Sequence, residues 1–147
     1  MTQISETVFS KNMVIETKAI YPLSLDIMDN MDRFGNIIEK IHEFDTNGPR
    51  ETVHITFDME EVIDDHASII FSFLINGDSN GTGFLDIKVD GSFFIDTPQR
   101  KTLASSAFNA YYAEHIFPML EKNMTKKIEN MGKFIEKKLK KLSLKYA

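Results

Sequence analysis

Residues 67–95 read ASIIFSFLINGDSNGTGFLDIKVDGSFFI, and this stretch decides the fold class. Its first nine residues carry β-branched and aromatic side chains on both phases, which predicts a strand covered on both faces, one by a helix and one by another subunit. GDSNGTG at 77–83 supplies the small turn-forming residues that close a hairpin. FLDIKVDGSFFI at 84–95 then alternates apolar and polar positions, with Gly91 expected at a bulge or bend. Upstream, Val53, Ile55, Phe57 and Met59 alternate with His54, Thr56, Asp58 and Glu60, which predicts another strand with one buried face, followed by an acidic turn from Glu60 to Asp65.

Further toward the N-terminus, Met13, Ile15 and Thr17 share one phase, and Ala19, Tyr21, Leu23, Leu25 and Ile27 continue it. One or two strands fit, with Pro22 at an edge or bend. Asp29 or Asn30 can then cap a helix over about 30–45, because Phe34, Ile37, Ile38, Ile41 and Phe44 fall on one face at 3.6 spacing before the breaker Asn47, Gly48, Pro49. Beyond the hairpin, Thr97 and Pro98 open a short helix, and Pro118 opens a long basic one over about 118–145. The long helix carries a heptad-like seam of Leu120, Met124, Ile128, Met131, Ile135, Leu139 and Leu142, suited to another helix or a second copy of itself. Gly132 inside it marks a break or a close contact. The expectation is one α+β domain over residues 1–147 with about four antiparallel strands.

Composition narrows the chemistry. The 147 residues contain no cysteine, which excludes disulfide scaffolds, Cys-ligated zinc, iron–sulfur clusters and thiol nucleophiles. No segment approaches the roughly 20 apolar residues of a membrane span, and MTQISETVFSKNMVIETK offers no continuous apolar run, so a soluble cytoplasmic protein is expected. Residues 1–100 carry 7 Lys and Arg against 18 Asp and Glu, whereas residues 101–147 carry 10 against 4. An acidic body of this kind repels nucleic acid, while the basic tail suits an anionic partner.

The four histidines, at 42, 54, 66 and 115, show no metal-ligand spacing, and Asp64, Asp65 and His66 read more simply as a polar turn than as a metal or base cluster. No GxSxG, P-loop or GxGxxG is present. Twelve Phe, four Tyr and eight Met fill a core, yet Met also adapts to irregular partners, so part of this content suits recognition. KFIEKKLKKLSLKYA at 133–147 sets Phe134, Ile135, Leu139 and Leu142 on one side and lysines elsewhere. It suits a helix docked on the sheet, or an amphipathic segment for an anionic membrane or an acidic partner.

Residues 84–132 resemble the SecB family of export chaperones through three pieces in order: FLDIKVDGSFFI, the pair Ala110 and Tyr111, and Ile116, Phe117, Pro118 leading into a helix that reaches Gly132. The resemblance implies a four-stranded antiparallel sheet with helices packed on one face, and a homodimer or homotetramer. It implies no enzymatic activity, no cofactor and no need for ATP, with unfolded polypeptide clients held in apolar grooves between sheet and helix. Tyr111, Ile116 and Phe117 then line the groove with Phe93 beneath it, and Met124, Ile128 and Met131 form the oligomer interface. The chain departs from the family in its expected 30–45 helix, in Asp86 and Lys88 at the docking stretch, and in a Lys-rich helix where a zinc-binding tail would serve the export motor. A solitary or toxin–antitoxin-linked holdase follows more readily than a partner of that motor. The competing architecture is a helix-grip (START-like) domain, whose six or seven strands wrap a long C-terminal helix around a small hydrophobic ligand.

Overall fold

The computed structural model describes residues 2–47, 49–64, 66–97 and 117–146. They form β1 (Thr2–Glu16), α1 (Ile20–Phe34), β2 (Asn36–Asn47), β3 (Arg50–Asp64), β4 (Ala67–Asp78), β5 (Phe84–Thr97) and α2 (Phe117–Lys145). The strands make one antiparallel sheet in the order β1-β5-β4-β3-β2, so the first strand closes against the last. The architecture is α+β, with five strands where about four are expected.

Period-two alternation decides which face is buried. Val53, Ile55, Phe57 and Met59 of β3, Ile69, Phe71, Phe73 and Ile75 of β4, and Leu85, Ile87 and Val89 of β5 all turn inward and are buried. Phe57 and Phe73 sit opposite each other in the register with ring centroids 4.5 Å apart, a stacked pair at the middle of the core. Both helices cover this face, α1 over β2, β3 and β4, and α2 over β1 and β5. Asp26 of α1 meets Lys145 of α2 while Phe34 meets Phe134, so the two helices run antiparallel. On the opposite face of β4, Ile70 and Leu74 are half-buried and Ser72 is exposed.

The segment 20–45 reverses the sequence expectation. Residues 20–34 form the helix and 36–47 the strand, so no helix exists over 30–45. In α1 the buried set is Ile20, Leu23, Ser24, Ile27, Met28 and Met31, a 3.6 pattern that the odd-numbered apolar residues mask. Pro22 falls in the first turn, where a backbone N–H has no intrahelical partner to lose. In β2 a register shift between Ile37 and Glu39 inserts Ile38 as an extra residue. The phase therefore changes along the strand, and Ile37, Ile41 and Phe44 imitate helical spacing. The acidic residues Glu60 and Glu61 belong to β3 rather than to a turn.

Glycines set how closely the layers approach. A β-carbon at Gly91 of β5 would lie 2.9 Å from Ile128 of α2 and 2.6 Å from the Phe71 ring. The irregularity expected there sits on the partner strand, between Thr7 and Phe9, opposite Gly91. Gly132 leaves α2 unbroken and provides the close contact.

Candidate functional site

An open cleft of about 450 Å³ lies where the end of α1, β3 and α2 meet. Met59 of β3 forms its buried floor, Phe34 at the end of α1 and Met131 of α2 its apolar walls, and Glu60, Glu61 and Lys127 its rim. Phe34 stacks on Phe134 with ring centroids 4.8 Å apart, and the two rings remain 37% and 50% exposed. Two aromatic rings stacked in solvent next to two methionines give a surface that is apolar, polarizable and adaptable in shape.

The site exists because of where its elements end. Gly35 terminates α1 in extended backbone, and its N–H donates to the Met31 carbonyl at 2.9 Å. A β-carbon on Gly35 would meet Met59 Sδ at 2.5 Å, so this glycine lets β2 start directly beside the cleft floor. Glu61 lies on the inward phase of β3 and accepts a hydrogen bond from Lys127 Nζ at 2.5 Å. On the far flank of α2, Lys11 of β1 reaches Glu136 at 3.4 Å, and Lys140 reaches the same carboxylate at 3.1 Å. The hydrogen bond from Lys140, followed by that from Lys11, holds the Glu136 carboxyl below the usual carboxylate range. Ion pairs thus flank α2 on both sides, and they orient it more than they stabilise it, since each has an exposed lysine as a partner.

A second, smaller cleft of about 260 Å³ opens on the other side of α1 between Met28, Asp29, Asp32, Ile37, Ile38 and Lys40. Beyond it Tyr21 stacks on Phe44, centroids 4.0 Å apart, and on His42 at 5.7 Å. Both clefts share the α1–β2 junction.

The C-terminal end of α2 is fastened to α1. Tyr146 Oη and Lys145 Nζ both donate to Asp26 Oδ2, the latter at 3.0 Å, and Thr17 Oγ1 donates to the Tyr146 carbonyl at 2.9 Å. The Tyr146 hydroxyl, then Lys145, draws the Asp26 carboxyl below its ordinary range, and the same contact with Asp26 raises the Tyr146 hydroxyl.

Phe93 is buried on the inward face of β5 and is not among the residues lining either cleft. Tyr111 and Ile116 lie outside the described residues, as does the Phe117 side chain. Met124 and Ile128, expected at an oligomer interface, are instead buried in the protomer's own core beneath α2, and Met131 lines the cleft. The heptad spacing that suggested a helix partner is satisfied by the sheet. Phe34, Met59 and Phe134 carry the cleft without having been singled out for it; the abundance of Phe and Met was their signal. His54 donates from Nδ1 to Asn76 Oδ1 at 2.6 Å on the outer face of the sheet. Among the described residues no group of three His, Cys, Asp or Glu is placed to hold a metal ion. No helix among them is long and apolar enough to cross a membrane.

No protein-family model matches the chain, and no curated protein matches it. Similar solved structures include a truncated norcoclaurine synthase from Thalictrum flavum, 7% identical over 65% of this chain and 79% of that one, with a TM-score of 0.25. A norcoclaurine synthase point mutant from the same organism, in complex with a transition-state analogue, is 6% identical over 89% and 98% of the two chains, with a TM-score of 0.24. At these scores the likeness bears on neither fold nor activity.

Proposed function

We propose that this chain is a SecB-like, ATP-independent holdase of the cytoplasm. It binds extended apolar segments of non-native polypeptides, assembles as a homodimer or homotetramer, and serves export or toxin–antitoxin control. One observation carries the reading: an open cleft between helix and sheet whose walls are Phe34 and Met131 over a Met59 floor, with Phe134 stacked on Phe34 beside it. An unfolded client presents aromatic and aliphatic side chains without fixed sequence, and methionine and stacked rings accommodate such variety better than a rigid aliphatic pocket. Glu61 and Lys127 at the rim offer both signs of charge to the client's flanking groups.

The test is suppression of light scattering from a denatured client, with no nucleotide present. Protection near stoichiometric ratio, weakened by Phe34→Ser and by Met131→Ser with folding intact, is the expected result. Full protection in both variants removes the cleft from the reading, and no protection by the parent chain removes the holdase.

A helix-grip domain with a small hydrophobic ligand is the second reading, favoured by the long α2 lying across the inner face of a sheet that has more than four strands. The contacts of Gly91 with Ile128 and of Gly132 with Phe9 close the space between α2 and the sheet, which confines such a ligand to the same open cleft. Solution mass separates the readings: a monomer that protects no client and takes up a fatty acid supports the second.

A further inference from the structure

The solvent side of α2 has no role in the cleft, and it is predominantly basic, with the exposed Glu129 at its edge. Lys122, Lys126, Lys133, Lys137 and Lys141 are all exposed, and their spacing places them within an arc of about 100° along a helix that is ~43 Å long. Among the described residues none of the five pairs with a carboxylate, whereas Lys127, Lys140 and Lys145 do. The apolar side of the helix is spent on the sheet through Met124, Ile128, Ile135 and Leu139, so the lysines face outward and none of the described elements covers them.

Two apolar residues break the polar face. Met119 and Leu144 are 61% and 78% exposed, Leu144 being the most exposed of the large hydrophobic residues described. Twenty-five residues separate them, about seven turns, which returns both to the same pole of the helix as the lysines. Lysines in a row with an apolar tip at each end match the layering of an anionic bilayer surface, where charge meets headgroups and tips enter the acyl boundary. The opposite face of the molecule carries Asp58, Glu60, Asp86, Asp90 and Asp96 around Lys88 on the outward phase of β3 and β5. Among the described residues the outer face of the sheet is mainly acidic and the outer arc of α2 basic, while α1 beside it carries the exposed Asp29 and Asp32, so an anionic surface repels the sheet side and attracts the lysine arc itself.

We propose that the lysine face of α2, with Met119 and Leu144 at its ends, docks the protein onto membrane surfaces rich in anionic phospholipid, with the sheet turned to solvent. This surface is separate from the cleft, and the inference does not depend on the holdase reading.

Vesicle flotation tests it with two compositions, pure phosphatidylcholine and phosphatidylcholine containing roughly one-quarter phosphatidylserine, at low ionic strength where charge is least screened. The full chain should float with the phosphatidylserine vesicles only. Each lysine contributes about fivefold in partition, so Lys126→Glu, Lys133→Glu and Lys137→Glu together should lower it at least a hundredfold. Met119→Ser with Leu144→Ser should weaken binding while leaving its salt dependence, and an unchanged circular dichroism spectrum shows that either variant is folded. Equal flotation with both compositions, unaltered binding by the charge-reversal variant, or binding to a nucleic acid duplex but not to phosphatidylserine vesicles would overturn the proposal.

Discussion

Gly132 of α2 lies over the ring of Phe9 in β1 so closely that a β-carbon would stand 2.5 Å from Phe9 Cδ2 and 2.6 Å from Cε2. A glycine inside a 29-residue helix therefore serves a packing purpose.

Gly132→Ala sets two effects against each other. Alanine gains about 1 kcal/mol in helix propensity, while forcing a methyl group against a ring costs about 1–3 kcal/mol. Net destabilisation is expected in urea unfolding, relieved when Phe9→Leu is added. A gain of stability in the single variant would mean that the ring moves aside freely.

Gly83 and Gly81 make a controlled pair in the β4–β5 loop. Both have positive φ, 78° and 64°, but an added β-carbon meets the Thr17 carbonyl at Gly83 and nothing within 4 Å at Gly81. Thr17 N–H also donates to the Gly83 carbonyl at 3.2 Å, which pins the loop to the entrance of α1. Gly81→Ala should cost about 1–2 kcal/mol for the left-handed backbone alone, and Gly83→Ala clearly more, as read from thermal midpoints.

Acid should release the end of α2. Because the folded-state Asp26 carboxyl is lowered by Tyr146 and Lys145, its contribution is complete above the ordinary carboxylate range and disappears as pH falls through the folded value. Tyr146 is raised by Asp26, so its share is present below the ordinary phenol range and is lost as pH rises through the folded value. Amide exchange near residues 139–146 should therefore accelerate on acidification relative to β4, after correction for intrinsic rates. Asp26→Asn should flatten that dependence.

The two stacked phenylalanine pairs should behave oppositely. Phe57→Ala empties a buried site and should cost about 3–5 kcal/mol in urea unfolding. Phe134→Ala removes a half-exposed ring from Phe34 and should cost about 0.5–1.5 kcal/mol. If the cleft holds clients, the second variant should lose more protection than stability.

Much of the fold is legible in the sequence where one period dominates. Val53 to Met59 and Phe84 to Ile95 alternate cleanly, the turn signal GDSNGTG holds the loop at residues 79–83 although its Gly77 and Asp78 still belong to β4, and Pro118 stands at the second position of α2. Residues 20–45 mislead because apolar residues occupy both phases of α1 and because the extra residue Ile38 shifts the phase of β2. The cleft is less legible still. Phe34 and Phe134 meet only because α1 and α2 run antiparallel, and a seven-residue seam does not say whether it packs on a helix or on a sheet. Met124 and Ile128 thus read as a contact with a second copy when their partner is the chain's own sheet.

The closure of β1 against β5 has a consequence for synthesis. Thr7 and Ser92, whose hydroxyls lie 3.0 Å apart across that pairing, are 85 residues distant along the chain. At ~5–20 residues per second a ribosome takes on the order of 4–17 s to deliver the partner strand. During that interval β2 to β4 pair as they emerge, each with its neighbour, while β1 waits. The earliest strand made is the last to be sheltered, so the nascent protein itself carries an unpaired strand until translation has passed β5.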